Sequence, residues 1–279
     1  MKVLLIGGSG MVGTFVTPYL ARRHELRVLD VRPPQHGDLV DYVEGSILDP
    51  AALARALEGM DTFVDMVMRW PGKGPSDQTV GDIIANHEVN VLGVHLLLWT
   101  AQSMGVKRGV YISTRTVHDL PTTAEGRPTY FQAEETMPLD NPSVYGLTKG
   151  LGERVCEYFA QHFDMRIIAL RITGPRTRDA FLAERRVPVH PGLYVMDEED
   201  LADAIVSALD VVQVGSGRFD AILVSGDERE VDHNMTKARV VLGYAPKGQL
   251  LLDDQGPRRG GPAESHRSAG PVPDGTVSR

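Results

Sequence analysis

The chain has 279 residues, 42% of them hydrophobic and 24% charged, the balance of an ordinary globular protein rather than a disordered one. Its 29 Lys and Arg against 37 Asp and Glu give a formal net charge of −8; with no dense basic run, neither a nucleic acid nor an anionic membrane is an expected partner. Cys156 is the only cysteine, which excludes an intrachain disulfide and a cysteine-rich metal site, so no metal is expected and a reducing, cytoplasmic location fits. No apolar run approaches the roughly 18 residues of a membrane span, and Val3-Leu4-Leu5-Ile6 is too short for a signal-peptide core.

Apolar runs of strand length at 2–6, 26–30, 62–67, 108–113 and 165–170 alternate with helical patterns. That alternation predicts an α/β fold, a doubly wound parallel sheet covered on both faces. The first strand runs directly into Gly7-Gly8-Ser9-Gly10-Met11-Val12-Gly13, with a helix beginning near Val12. Glycine suits a tight strand-to-helix turn, and any side chain there would stand between a pyrophosphate and the helix N-terminus. Gly7, Gly10, Met11, Val12 and Gly13 therefore form the expected cofactor turn, although a glycine cluster alone also describes a plain tight turn. The second strand ends in Asp30, seventeen residues after Gly13. A carboxylate at that strand end accepts hydrogen bonds from the adenosine ribose hydroxyls and repels a 2′-phosphate, which points to NAD rather than NADP, with Arg32 as a partial counterweight.

Residues 50–59 read as a helix opened by Pro50, and Val91, Val94, Leu97 and Leu98 as a core or interface helix interrupted by Asn90 and His95. The strand at 108–113 leads into Ser113-Thr114, where ligands sit in open α/β sheets, so either hydroxyl is placed to meet a substrate oxygen. The helix over 142–163, started by Asn141 or Ser143, carries Tyr145 and Lys149 one turn apart on one face. A phenol with a pKa of about 10 is a poor base at neutrality, but a neighbouring cation lowers it into use. On its own the pair also describes a surface aromatic beside a solvated lysine. From residue 254 onward glycine and proline accumulate without an aromatic residue, the composition of a disordered tail. The expected division is a dinucleotide-binding domain over 1–170 with returning segments after 195, an abridged lobe with C-terminal elements over 171–253, and a tail over 254–279.

In this order the pieces resemble the extended short-chain dehydrogenase/reductase superfamily, also called the NAD-dependent epimerase/dehydratase family, over residues 1 to about 250. Gly7/Gly10/Gly13 with Asp30 is similar to its NAD turn, Asn90-Val91-Leu92-Gly93 to its central helix start, Ser113-Thr114 to its strand-end hydroxyls, and Tyr145-x-x-x-Lys149 to its catalytic pair. Leu170-Arg171, Gly174-Pro175, Asp200-Leu201-Ala202 and Leu242-Gly243-Tyr244 resemble its C-terminal pattern. The resemblance implies a Rossmann fold with a small C-terminal substrate lobe, NAD as cofactor, and a homodimer paired through the helices around 91–104 and 145–160. It implies that Tyr145 exchanges the substrate proton, that Lys149 lowers its pKa and holds the nicotinamide ribose, that Thr114 orients the substrate oxygen, and that Asn90 anchors a relay water.

Two departures stand out. Gly45 is followed by Ser46-Ile47 where members often carry an acid for adenine, which implies weaker adenine contacts. Asp65-Met66-Val67-Met68-Arg69-Trp70 replaces the usual His-Leu-Ala-Ala, which makes Arg69 and Trp70 candidate substrate residues. Nucleotide-sugar members insert a long segment after Gly-Pro, whereas only 24 residues separate Pro175 from Asp200 here, a layout closer to the uronate dehydrogenases. Arg176, Arg178, Arg185 and Arg186 lie in that segment, and Arg178 is taken as the fork for a carboxylate or phosphate. The expected function is NAD-dependent hydride transfer at a secondary alcohol of a small sugar-like or sugar-acid substrate. The alternatives are a nucleotide-sugar epimerase or dehydratase with tightly bound NAD, and a non-catalytic NAD-sensing module.

Overall fold

The computed structural model describes residues 1–119, 134–184, 195–227, 230 and 233–247, so the expected tail over 254–279 lies outside the described residues. The apolar runs pair into one parallel sheet: β1 (Lys2–Ile6), β2 (Glu25–Asp30), β3 (Asp41–Glu44), β4 (Thr62–Asp65), β5 (Arg108–Thr114) and β6 (Arg166–Ile172), with a seventh member, β9 (Arg218–Val224), after the short pair β7 (Pro175–Arg176) and β8 (Met196–Asp197). The order is β3-β2-β1-β4-β5-β6-β9 with every pair parallel. The order in which successive strands are added therefore reverses between β1 and β4, the place where doubly wound sheets open a crevice for ligands.

Strand side chains alternate between the two faces, and each face has its own core. Val3, Leu5, Val28, Val64, Val110 and Ile168 pack against α1 (Met11–Leu20), α7 (Glu198–Val212) and α8 (Thr236–Leu242). Leu4, Ile6, Leu29, Phe63, Tyr111 and Ile167 meet α2 (Pro50–Leu57), α4 (Gly93–Ser103) and α5 (Val144–His162). Two further α-helices are α3 (Val80–His87) and α6 (Arg178–Glu184), the latter beside the two-stranded β7–β8 pair that supplies the described part of the small lobe. No helix among the described residues is long and apolar enough to cross a membrane.

The sequence expectations and the structure differ in four places. β4 stops at Asp65 rather than 67, because Met66–Trp70 leaves the sheet to form a loop over α5. β3 is absent from the strands read off the apolar runs, though the family likeness at Gly45 implied a strand before it: it is a four-residue, partly exposed edge strand without an apolar run. β9 was not expected; its apolar pattern is broken by Asp220, a carboxylate buried against Arg166 at 2.8 Å. Also unexpected is α3, closed by a capping box in which Thr79 and Asp82 satisfy each other's backbone N–H groups.

Candidate active site

The glycine turn follows β1 at the carboxyl end of the sheet. Gly7 has φ +77°, and a Cβ there would stand 2.9 Å from the Val67 side chain; one on Gly13 would come within 2.3 Å of the Gly8 carbonyl oxygen. The turn thus keeps its backbone bare and lets α1 start close to β1. Gly10 caps α1 with no side-chain hydrogen bond, so the first N–H groups of the helix face outward. Asp30 accepts from Ser9 N at 3.0 Å and Arg32 N at 3.1 Å, which fixes the turn against the end of β2. A cradle without side chains, a helix N-terminus and a strand-end carboxylate together fit a dinucleotide's pyrophosphate and ribose.

Tyr145 and Thr114 meet at the same end of the sheet. Ser143 starts α5 by accepting from Gly146 N at 3.0 Å, and Val144 N is tied to Gln78 Oε1 at 2.8 Å. The Tyr145 hydroxyl lies close to the Thr114 side chain and reaches Met68 Sδ at 3.5 Å. Burial pushes this phenol up to about 12, opposed by the nearby Thr114 hydroxyl.

Lys149, one turn along α5 from Tyr145, faces the sheet. It runs inward from α5, 1% exposed, with Nζ 4.0 Å from the Tyr111 ring centroid and 3.5 Å from the Val67 carbonyl. Its one-turn spacing from Tyr145 puts both on one helical face, but the tyrosine turns toward the mouth and the lysine toward the sheet. Burial lowers Lys149 to about 8, and its charge faces Asp65, which burial raises to about 6.

Asn90 lies fully buried in a π-helical turn, Glu88–Leu92, ahead of α4. Its amide is committed: Oδ1 accepts from Arg69 N at 2.7 Å, and Nδ2 donates to Arg69 O at 3.0 Å and Thr148 Oγ1 at 3.0 Å. The side chain expected to anchor a water therefore holds the loop after β4. That loop carries Arg69 and Trp70 into solvent, Trp70 at 62% exposure.

Arg178 is not an open fork. Its guanidinium binds Asp197 at 2.8 Å and Glu199 at 2.6 Å, tying α6 to the start of α7. Arg185 and Arg186 lie outside the described residues. Arg115, the residue after Thr114, was not among the expected site residues: it is half-buried, burial lowers its pKa, and among the described residues no carboxylate opposes that shift. The signal was its place directly after a strand-end hydroxyl. His118, in the loop that follows β5, is buried between Pro138 O at 2.7 Å and Arg171 at 3.0 Å. Among the described residues no cluster could hold a metal ion.

Comparison with known proteins agrees with this geometry. An L-arabinose 1-dehydrogenase (NAD(P)(+)) from Haloferax volcanii is 25% identical over 258 residues, 88% of this chain and 96% of the relative. A UDP-glucose 4-epimerase from Lactobacillus helveticus is 27% identical over 320 residues, covering 91% and 94%. The crystal structure of a short-chain dehydrogenase/reductase superfamily protein from Agrobacterium tumefaciens with bound NAD shares the fold, at TM-score 0.70, 21% identity and coverage of 91% and 95%. The model of the NAD dependent epimerase/dehydratase family matches residues 3–188, and the chain belongs to that family, as an enzyme of the dehydrogenase and epimerase type with NAD as its cofactor.

Proposed function

We propose that the enzyme moves a hydride between NAD and a secondary alcohol carbon of a small sugar-like or sugar-acid substrate. The observation that carries this reading is the meeting of the glycine turn, Thr114 and the half-buried Tyr145 hydroxyl at one end of the sheet. Gly7, Gly10, Met11, Val12 and Gly13 receive the pyrophosphate and Asp30 the adenosine ribose. Bound NAD supplies the hydride acceptor. Thr114 Oγ1 orients the substrate hydroxyl, and Tyr145 Oη, as phenolate, takes its proton while the carbon gives up the hydride. A phenol held near 12 needs a cation to ionise at neutral pH. Lys149 provides that charge and holds the nicotinamide ribose, and Asn90 positions the loop that brings Arg69 and Trp70 to the substrate.

The substrate reading draws on two features. The chain between Pro175 and Asp200 is short for a lobe that must enclose a nucleoside diphosphate. Arg115, next to Thr114, offers a half-buried guanidinium that no carboxylate among the described residues opposes, which suits a substrate carboxylate or phosphate and takes the part expected of Arg178. The arabinose dehydrogenase, matched over nearly its whole length, supports a free sugar. The epimerase relative supports the second reading, in which hydride returns to the substrate and NAD is not consumed. The assembly we infer is a homodimer, in the cytoplasm.

The test is NADH formation with neutral sugars, uronic acids and sugar phosphates. Turnover of one of the charged classes is expected, with Arg115→Gln raising its KM about tenfold or more, the cost of losing a charge-assisted hydrogen bond. UDP is expected to compete poorly at millimolar concentration. Micromolar inhibition by a nucleoside diphosphate that is not competitive with NAD rejects the small substrate and promotes the epimerase reading.

A further inference from the structure

Asp65 ends β4 at 1% exposure, paired in register with Tyr111 of β5. Its Oδ1 accepts from Val67 N at 3.0 Å, and its Oδ2 is buried with no hydrogen-bond partner. A carboxylate oxygen in that position is costly unless a positive charge stands across from it. Lys149 is the cation that acts on it. The other groups facing the lysine are Glu153 and Cys156 on its own helix and Tyr111 on β5. Glu153 is already neutralised by a two-point bond to Arg171, at 2.9 and 2.6 Å, and by Ser113 Oγ at 2.5 Å. Burial holds Cys156 and Tyr111 in their neutral forms. Of the charged groups facing the lysine, Asp65 acts on it most.

We infer that Asp65 is a positioning residue for Lys149: its carboxylate keeps the buried ammonium charged and seated between the Tyr111 ring and the Val67 carbonyl, and so sets the pH range over which the lysine serves the cofactor. The inference rests on the reading of Lys149 as a cofactor-binding residue. Val67 joins the partners, its N–H on Asp65, its C=O on Lys149 and its side chain against Gly7.

The signs give a window. Asp65, raised to about 6, is ionised above that pH, and Lys149, lowered to about 8, is protonated below it, so the charged pair exists between the two. Below about 6 the lysine loses its counter-charge; above about 8 it loses its own charge.

NADH affinity, read by fluorescence from pH 5 to 10 on wild type, Asp65→Asn and Lys149→Met, tests this. Wild-type affinity is expected to peak between about 6 and about 8. Asp65→Asn should lose the acid limb and shift the alkaline limb down by about one pH unit, about tenfold in protonated lysine. A folded Asp65→Asn with the wild-type profile overturns the inference. Wild-type affinity in Lys149→Met overturns instead the reading on which it rests. If Asp65→Asn fails to fold, the 15Nζ resonance of Lys149 in the wild type, assigned with Lys149→Met, decides. Inflections near 8 and near 6 support the pairing, and no response near 6 overturns it.

Discussion

Tyr145 holds its hydroxyl close to Thr114 while Lys149, one turn on, is drawn under the helix to Tyr111 and Asp65. The residue types were legible in the sequence, and so was their common helical face. The inward path of the lysine was not, because it depends on a carboxylate from β4 that no spacing along α5 reports. Replacing Tyr145 with Phe keeps the ring and removes the titrating hydroxyl, so turnover should fall by about two to four orders of magnitude, the usual worth of general acid/base catalysis. NADH binding measured by fluorescence should stay within about twofold, since the ring is kept and only the titrating hydroxyl is lost. At the other end of the cofactor, Asp30→Ala should narrow the preference for NAD over NADP, read as the ratio of the two kcat/KM values. Its loss also frees Ser9 N and Arg32 N, so NAD affinity should weaken in the same variant.

Among the elements, those with long apolar runs (β1, β2, β5, β6 and α5) fall within two residues of where the sequence puts them. The others are held by polar contacts that pattern reading discounts. β9 tolerates Asp220 because Arg166 and Arg218 stand on it at 2.8 Å, and β4 ends early because Asn90 pairs with the Arg69 backbone much as a neighbouring strand would. α3 announced itself through Thr79-x-x-Asp82, a signal present in the sequence and easily passed over in so short a helix. The bond that joins α5 to β6 is the buried Arg171–Glu153 pair, whose side chains are 4% and 2% exposed. Removing one partner strands the other, so Arg171→Met should destabilise the fold by about 3–5 kcal/mol, measured by urea unfolding.

For the whole molecule, α4 and α5 leave one apolar face open: Trp99, Leu147, Leu151 and Tyr158 are 36–52% exposed, and Trp99 and Tyr158 each stack edge-on against Phe163. A patch of that kind favours burial against a copy of itself. Trp99→Glu should convert the proposed dimer to a monomer in light scattering after size exclusion, and a monomeric wild type removes the pairing. Composition and motif order were enough to indicate the fold and the cofactor. Which arginine is open to substrate was not, since four stand in one short segment and only the folded chain ties Arg178 to Asp197.

Val67 touches Gly7 of the cofactor turn on one side and receives Lys149 of α5 on the other. The first strand-turn-helix and the tail of β4 are consequently one interlocking part. A chimera that imports a relative's residues 1–30 to change cofactor choice would bring a turn shaped for another residue 67, and would shift the lysine with it. Such grafts should work only when the stretch from Asp65 to Trp70 is transplanted together with them.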